Sequence, residues 1–223
     1  MVEITRIIRS KRQSIALIIE RDGSLAVRAP LQTSDETIRS LVESKADWIR
    51  ATQEKARKLG PAPVRKKFVE GEEFWYLGHG YRLEIVKGKK TDLHLDGSFK
   101  MSPATRPKAR LAFENWYKKQ ARDIIPGRVS RLAAQHGFEF QHIRITSART
   151  RWGSCSTRGT LSFTWRLVMA PEDMIDYVIV HELVHLRIHN HSREFWKQVG
   201  LLLPDYKEKR LWLKKNASFL TLD

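Results

Sequence analysis

Residues 181–191 read HELVHLRIHNH, placing four histidines and a glutamate within eleven positions. On an α-helix His181 and His185 leave the same face, because residues four apart are surface neighbours. Glu182 sits one position round from His181. This is the H-E-x-x-H pattern, in which two histidines hold a metal and the glutamate takes a proton from the water it activates. If the helix continued, His189 would lie about 12 Å along the axis from His181. Bonds of about 2.0–2.1 Å would not let three histidines so spaced converge on one ion. The chain must leave the helix before the third ligand arrives. Asn190, which takes a left-handed conformation readily, is the expected stop, and Ser192 the expected cap of the next helix. His191 then folds back. The expected ligands are His181, His185 and His191, with a fourth position open to water, Glu182 as base and His189 as a bystander.

The rest of the chain reads as α+β. Asp22-Gly23 sits between apolar runs and predicts a hairpin of Ser14–Glu20 with Ser24–Arg28, stopped by Pro30. Ser34 is placed to cap a helix that carries Ile38, Leu41, Val42, Trp48 and Ile49 on one face and ends at Gly60. PAPVRKK reads as a linker. Residues 68–101 suggest short strands, with a second turn at Asp96-Gly97. A helix is expected from about Pro107, kinked at Pro126-Gly127 and closed by Gly137. FQHIRITSA and GTLSFTWRLVMA then read as strands. In the second, Leu161, Phe163, Trp165 and Leu167 alternate with Ser162, Thr164 and Arg166, predicting one buried and one wet face. Pro171 should start the helix that bears the histidines, with Glu172, Asp173 and Asp176 at its positive end.

Charge points to the partner. The 223 residues carry a formal net charge of +16, and no acid occurs between Glu139 and Glu172, where Arg144, Arg149, Arg151, Arg158 and Arg166 lie. Such a field favours an anionic partner, nucleic acid or nucleotide among them, although a merely solvated basic face would look the same. Arg151, Trp152, Arg158, Arg166 and Tyr206 are candidate substrate-binding residues. Trp152 either shapes a cleft wall or packs in the core; Tyr206 either reaches an oxyanion or packs. The wet face of SFTWR could pair with an extended substrate as an edge strand. Cys155, the single cysteine, excludes a disulfide framework and reads as a plain buried thiol. No stretch is apolar enough to span a membrane and the N-terminus has no signal core, so a cytoplasmic protein is expected.

The run from Arg151-Trp152-Gly153-Ser154-Cys155 through His181-to-His191 resembles the YgjP-like metallopeptidase family, relatives of the SprT-like zincins. The likeness is densest over roughly residues 144–200 and spans most of the chain. It implies zinc ligands at His181, His185 and His191 and a catalytic base at Glu182, in agreement with the spacing. The spacing is also similar to that of the metzincins, but Ile188 stands where those have glycine. Thr164 stands where many relatives have asparagine. The resemblance implies a zincin-like hydrolase domain over residues 106–223, with a HExxH helix beside antiparallel strands, after an N-terminal strand-and-helix region over residues 1–105. The expected function is zinc-dependent peptide or protein hydrolysis; nickel or another divalent metal could replace zinc. Two other readings stay open: a metal-dependent nucleotide phosphohydrolase, whose arginines clamp phosphates, and a nucleic-acid-binding module with a structural metal.

Overall fold

The structure, a computed structural model, describes residues 2–20, 22–57, 66–87 and 93–222. The chain splits into two compact units, Met1–Val64 and Arg65–Asp223.

In the first unit, β1 (Arg6–Ser10), β2 (Ala16–Ile19) and β3 (Leu25–Pro30) form a sheet of order β1-β3-β2. The β2–β3 hairpin is the one expected. Gly23 takes φ 86°, and the Ser24 N–H donates to Asp22 Oδ1 at 2.8 Å. The parallel pairing of β1 with β3 was not foreseen. Ser34 caps α1 (Asp35–Ser44), its hydroxyl accepting the Thr37 N–H. The single helix expected here is two, because the chain breaks at Lys45 before α2 (Ala46–Arg57). Ser44 Oγ donates to Leu41 O at 2.8 Å, a local bond of the kind that competes with helix continuation. Ile38, Val42 and Ile49 pack on Leu25, Val27 and Ala29. Trp48, expected on that buried face, is 51% exposed. Gly60 and most of the expected linker lie outside the described residues.

The second unit begins with β4 (Glu73–Tyr76), β5 (His79–Ile85), β6 (His94–Asp96) and β7 (Ser98–Met101), in the order β4-β5-β7-β6. A 3-10 turn leads into α3 (Ala109–His136). A second sheet, of order β8-β10-β9, holds β8 (His142–Thr146), β9 (Gly153–Cys155) and β10 (Thr160–Thr164). Three helices follow: α4 (Glu172–Val184), α5 (Arg193–Leu202) and α6 (Tyr206–Asn216). Among the described residues no helix is long and apolar enough to cross a membrane.

The sequence reading divided the chain after residue 105, whereas contacts divide it at Val64. The reason is packing. Phe74, Leu83, Phe99 and Met101 from the first sheet share one core with α3 and α4, and Phe113 of α3 stacks on Phe74 with centroids 4.0 Å apart. Along α3, Phe113, Tyr117, Ala121, Ile125 and Val129 recur every fourth residue in one buried stripe. The helix runs through Pro126 and ends at Gly137, φ 66°, as expected.

The strand expected through Arg166 ends at Thr164, and Trp165–Met169 is a 3-10 turn. Leu161 and Phe163 are buried as predicted, but Thr164 and Arg166 are buried too, so the wet face does not extend past the strand. β10 is also the central strand of its sheet, paired on both sides, and is no edge. The edges are β8 and β9, and of the two β9 lines the cleft described below.

Ion pairs to α3 and α6 seat α4. Glu172 and Asp176 meet Arg128 of α3 at 2.7 Å each, and Asp173 meets Lys209 of α6 at 2.9 Å. The acids also face the positive end of the helix dipole. The β4–β5 turn, Leu77-Gly78, hydrogen-bonds to Val168 and Met169 just before the helix. Gly78 takes φ 82°, and a methyl there would lie 2.8 Å from Pro171 Cγ and 2.9 Å from Pro171 Cα. Gly78→Ala is therefore expected to destabilise the chain by about 2–4 kcal/mol, from positive-φ strain plus overpacking. Urea unfolding reads this; a change below about 0.5 kcal/mol would show that the turn does not seat the helix.

Candidate metal centre

α4 is apolar around most of its circumference: Ile175, Ile179, Val180 and Leu183 are fully buried. Its last turn and C-cap carry His181, Glu182 and His185, with the histidines partly exposed and Glu182 buried. The helix ends at Val184, earlier than expected, and the bonds Leu186 N to Leu183 O and Arg187 N to Val184 O tighten it into a turn. Asn190 is not left-handed. Its side chain instead accepts the Ser192 N–H at 3.2 Å, and Ser192 caps α5 by accepting the Phe195 N–H. The break comes nearly two turns before Asn190, the position assigned to it, but the result is the same: His191 folds back over His181 and His185.

The His191 Nε2 lies 3.0 Å from His181 Nε2 and 3.1 Å from His185 Nε2. All three ligand atoms fall within 4.8 Å of one another. His185 Nδ1 is 3.0 Å from Ile188 O, and a carbonyl only accepts, so the ring proton sits on Nδ1 and Nε2 presents a lone pair. Burial, reinforced by the neighbouring imidazoles, drives His181 down to about 3. Burial also lowers His185. Three rings whose Nε2 atoms converge at hydrogen-bond distance, His181 and His185 deprived of easy protonation, form a donor set that suits a divalent cation. Phe195, fully buried, is the floor beneath them: it stacks on His185 at 4.4 Å and meets His181 and His191 edge-on at 4.9 Å. Trp196 stacks on His191 at 5.6 Å and 22°.

Glu182 is 5% exposed. Burial pushes its carboxyl up to about 8, and Arg151 pulls it back down. It rests against the backbone of β9, where a methyl on Gly153 would lie 2.6 Å from Glu182 Oε1 and 2.7 Å from its Cγ. Only the absence of a side chain at Gly153 lets the carboxyl sit there. Cys155, two residues on, is raised to about 11 by burial, then by Glu182, so it stays a thiol.

The histidines open into a cleft of about 620 Å³. Arg151, Trp152 and β9 form one wall, Tyr177 and Val178 of α4 the floor, and Arg210, Leu213 and Lys214 of α6 the other wall. Of the five residues assigned to substrate on sequence grounds, the structure brings Arg151 and Trp152 here and leaves three outside the lining. Arg158 lies in a separate groove with Arg144 and His142. Arg166 is turned inward, its guanidinium 4.2 Å from the Trp165 ring and donating to Ser147 O and Ala148 O. Tyr206 stacks on Trp196 at 5.5 Å. His189 lines the cleft but is outside the convergent group. Thr164 donates to Ala148 O at 2.8 Å, and its N–H bonds to Trp152 O, so it pins the loop that carries Arg151 and Trp152. Phe195, Tyr177, Arg210 and Lys214 were missed. Only Phe195 left a signal, as the first apolar residue after a capping serine.

A family model described as YgjP-like, metallopeptidase domain, matches residues 13–216. No curated protein matches the chain. Two solved structures are similar to part of it, both metallopeptidase zymogens. Abylysin of Pyrococcus abyssi shares 22% identity at a TM-score of 0.38, over 41% of this chain and 94% of that one. Jannalysin of Methanocaldococcus jannaschii shares 23% at 0.38, over 41% and 95%.

The geometry separates the four histidines. About one divalent metal per chain is expected after dialysis against zinc. The metal should be lost in His181→Ala, His185→Ala and His191→Ala and kept in His189→Ala and Cys155→Ser. Elemental analysis of the folded variants checks this; metal lost from His189→Ala but kept by His191→Ala would refute the assignment.

Proposed function

We propose that this chain, which belongs to the YgjP-like metallopeptidase family, is a zinc-dependent peptidase with Glu182 as its general base. The observation that carries this is the convergence of three histidine Nε2 atoms at the mouth of a cleft beside one buried carboxyl. On this reading His181, His185 and His191 hold the ion, and the zincin-like part from residue 106 onward contributes every reacting side chain. Three nitrogen donors, with no fourth ligand beside them among the described residues, suit a catalytic site better than a closed structural one. A peptidase family favours a peptide or protein substrate over a nucleotide.

The bound metal would supply Lewis acidity, lowering the pKa of a water towards about 7 and polarising the scissile carbonyl. Glu182 does the proton work. As a carboxylate it accepts a proton from the attacking water; as a carboxylic acid it passes that proton to the leaving amine nitrogen. Its burial keeps bulk water from competing, and Arg151 favours the ionised form that must act first. A divalent cation beside it would act in the same direction. Phe195 and Trp196 keep the three rings fixed, so that little reorganisation is needed when substrate arrives. β9 pairs only with β10, and its residues line the cleft, so its other edge can align an extended peptide backbone.

Glu182→Gln should retain the metal and lose at least about a hundredfold in kcat/KM, since glutamine has the same shape but accepts no proton. Gly153→Ala should also retain the metal and lose activity, because its methyl expels the Glu182 carboxyl from its seat. A quenched fluorescent peptide assay, run with elemental analysis, measures both. Equal turnover in Glu182→Gln would remove the glutamate from the mechanism.

A further inference from the structure

The cleft walls carry an unbalanced charge. Arg151 lies on the β9 side, Arg210 and Lys214 lie on α6, and among the described residues Glu182 is the only acid in the lining. Among the described residues none of the three cations has an ion-pair partner. The contrast with Lys209 is informative. One residue before Arg210, it is spent on Asp173 at 2.9 Å and Asp205 at 2.7 Å, tying α6 to α4. Arg210, Leu213 and Lys214 follow at helical spacing and turn a mixed cationic and apolar stripe to the cleft. Arg210 is also held in place. Its guanidinium lies 4.5 Å from the Trp196 ring, and Trp196 is itself stacked on Tyr206 and His191. A cation fixed on an aromatic ring at a cleft wall is oriented before any partner arrives.

We infer that the cleft selects acidic peptides, with Asp or Glu side chains on both sides of the scissile bond meeting Arg151 on one wall and Arg210 and Lys214 on the other. This rests on the peptidase reading above and names the substrate class of that same site. Trp152, the half-buried apolar residue of the lining, takes the stems of those side chains, and the cations take their heads. Like-charged peptides are rejected by the same field, which gives discrimination as well as attraction.

The test uses three quenched peptides of one sequence whose flanking positions are all Glu, all Gln or all Lys. The metal-loaded full chain is assayed at low salt. The order Glu > Gln > Lys is expected in kcat/KM, with at least about a tenfold spread between the first and last, shrinking as salt screens the exposed charges. In Arg210→Glu/Lys214→Glu the Glu-to-Lys ratio should fall by more than about tenfold. Arg151→Gln serves as a second variant from the other wall and should lower the same ratio. Binding is read separately, as fluorescence anisotropy of the labelled peptides on metal-loaded Glu182→Gln, and should follow the same order.

Equal or reversed orders in both assays would overturn the inference while leaving the peptidase reading intact. The expected order in binding with no peptide cleaved by the wild-type chain would support the charge preference and overturn the peptidase reading. A nucleoside triphosphate that displaces the acidic peptide and is itself hydrolysed, with no peptide cleaved, would overturn both.

Discussion

The seat of the Glu182 carboxyl in the space that a side chain at Gly153 would fill is the constraint on which the site depends. It sets how closely α4 can approach β9, the floor and one wall of the cleft. A carboxyl this deeply buried needs a reason to be there, because desolvation alone penalises its charged form. The chain keeps it against bare backbone, with Arg151 as the opposite charge that favours its ionised form. Everything that seats α4 serves this contact: the Arg128 and Lys209 ion pairs at its first turn, the glycine turn against Pro171, and the apolar residues that surround its middle.

The third histidine is held by a different device. A helix cannot place three imidazoles at consecutive turns around one point, so α4 unwinds after Val184 and the chain doubles back. Asn190 and Ser192 close that loop through two local side-chain bonds, and Ser192 restarts the helix. Phe195 arrives one turn later under all three rings. An exposed loop residue, His191, is in this way given the precision of a core position.

Local chemistry made much of this legible before any coordinates. The i,i+4 histidines, the Ser34 and Ser192 caps, the Asp-Gly turns and the Gly137 stop each depend on one or two neighbouring residues, and each was read from them. What was misplaced depends on distant partners. Alternation through SFTWR continues past Thr164 in the sequence, but Arg166 is drawn inward by Trp165 and by two carbonyls about twenty residues away. The break at Lys45 looks like uninterrupted helix because amphipathic spacing survives it. The strands of residues 68–101 read as N-terminal, although their phenylalanines meet α3. Within the site, the three convergent histidines were legible because they share one short motif. The α6 wall was not, since Arg210 and Lys214 are adjacent to the histidines in space alone.

The central claim is that three histidines and no other side chain hold one metal, leaving Glu182 unbonded beside it. An anomalous difference map from crystals of the zinc-loaded chain, collected at the zinc edge, tests it most directly. The account predicts one peak at about 2.0–2.1 Å from Nε2 of His181, His185 and His191. His189 and the Glu182 carboxylate should both lie beyond bonding distance of it. A peak bonded to His189, to Glu182 or to any fourth protein ligand would contradict it.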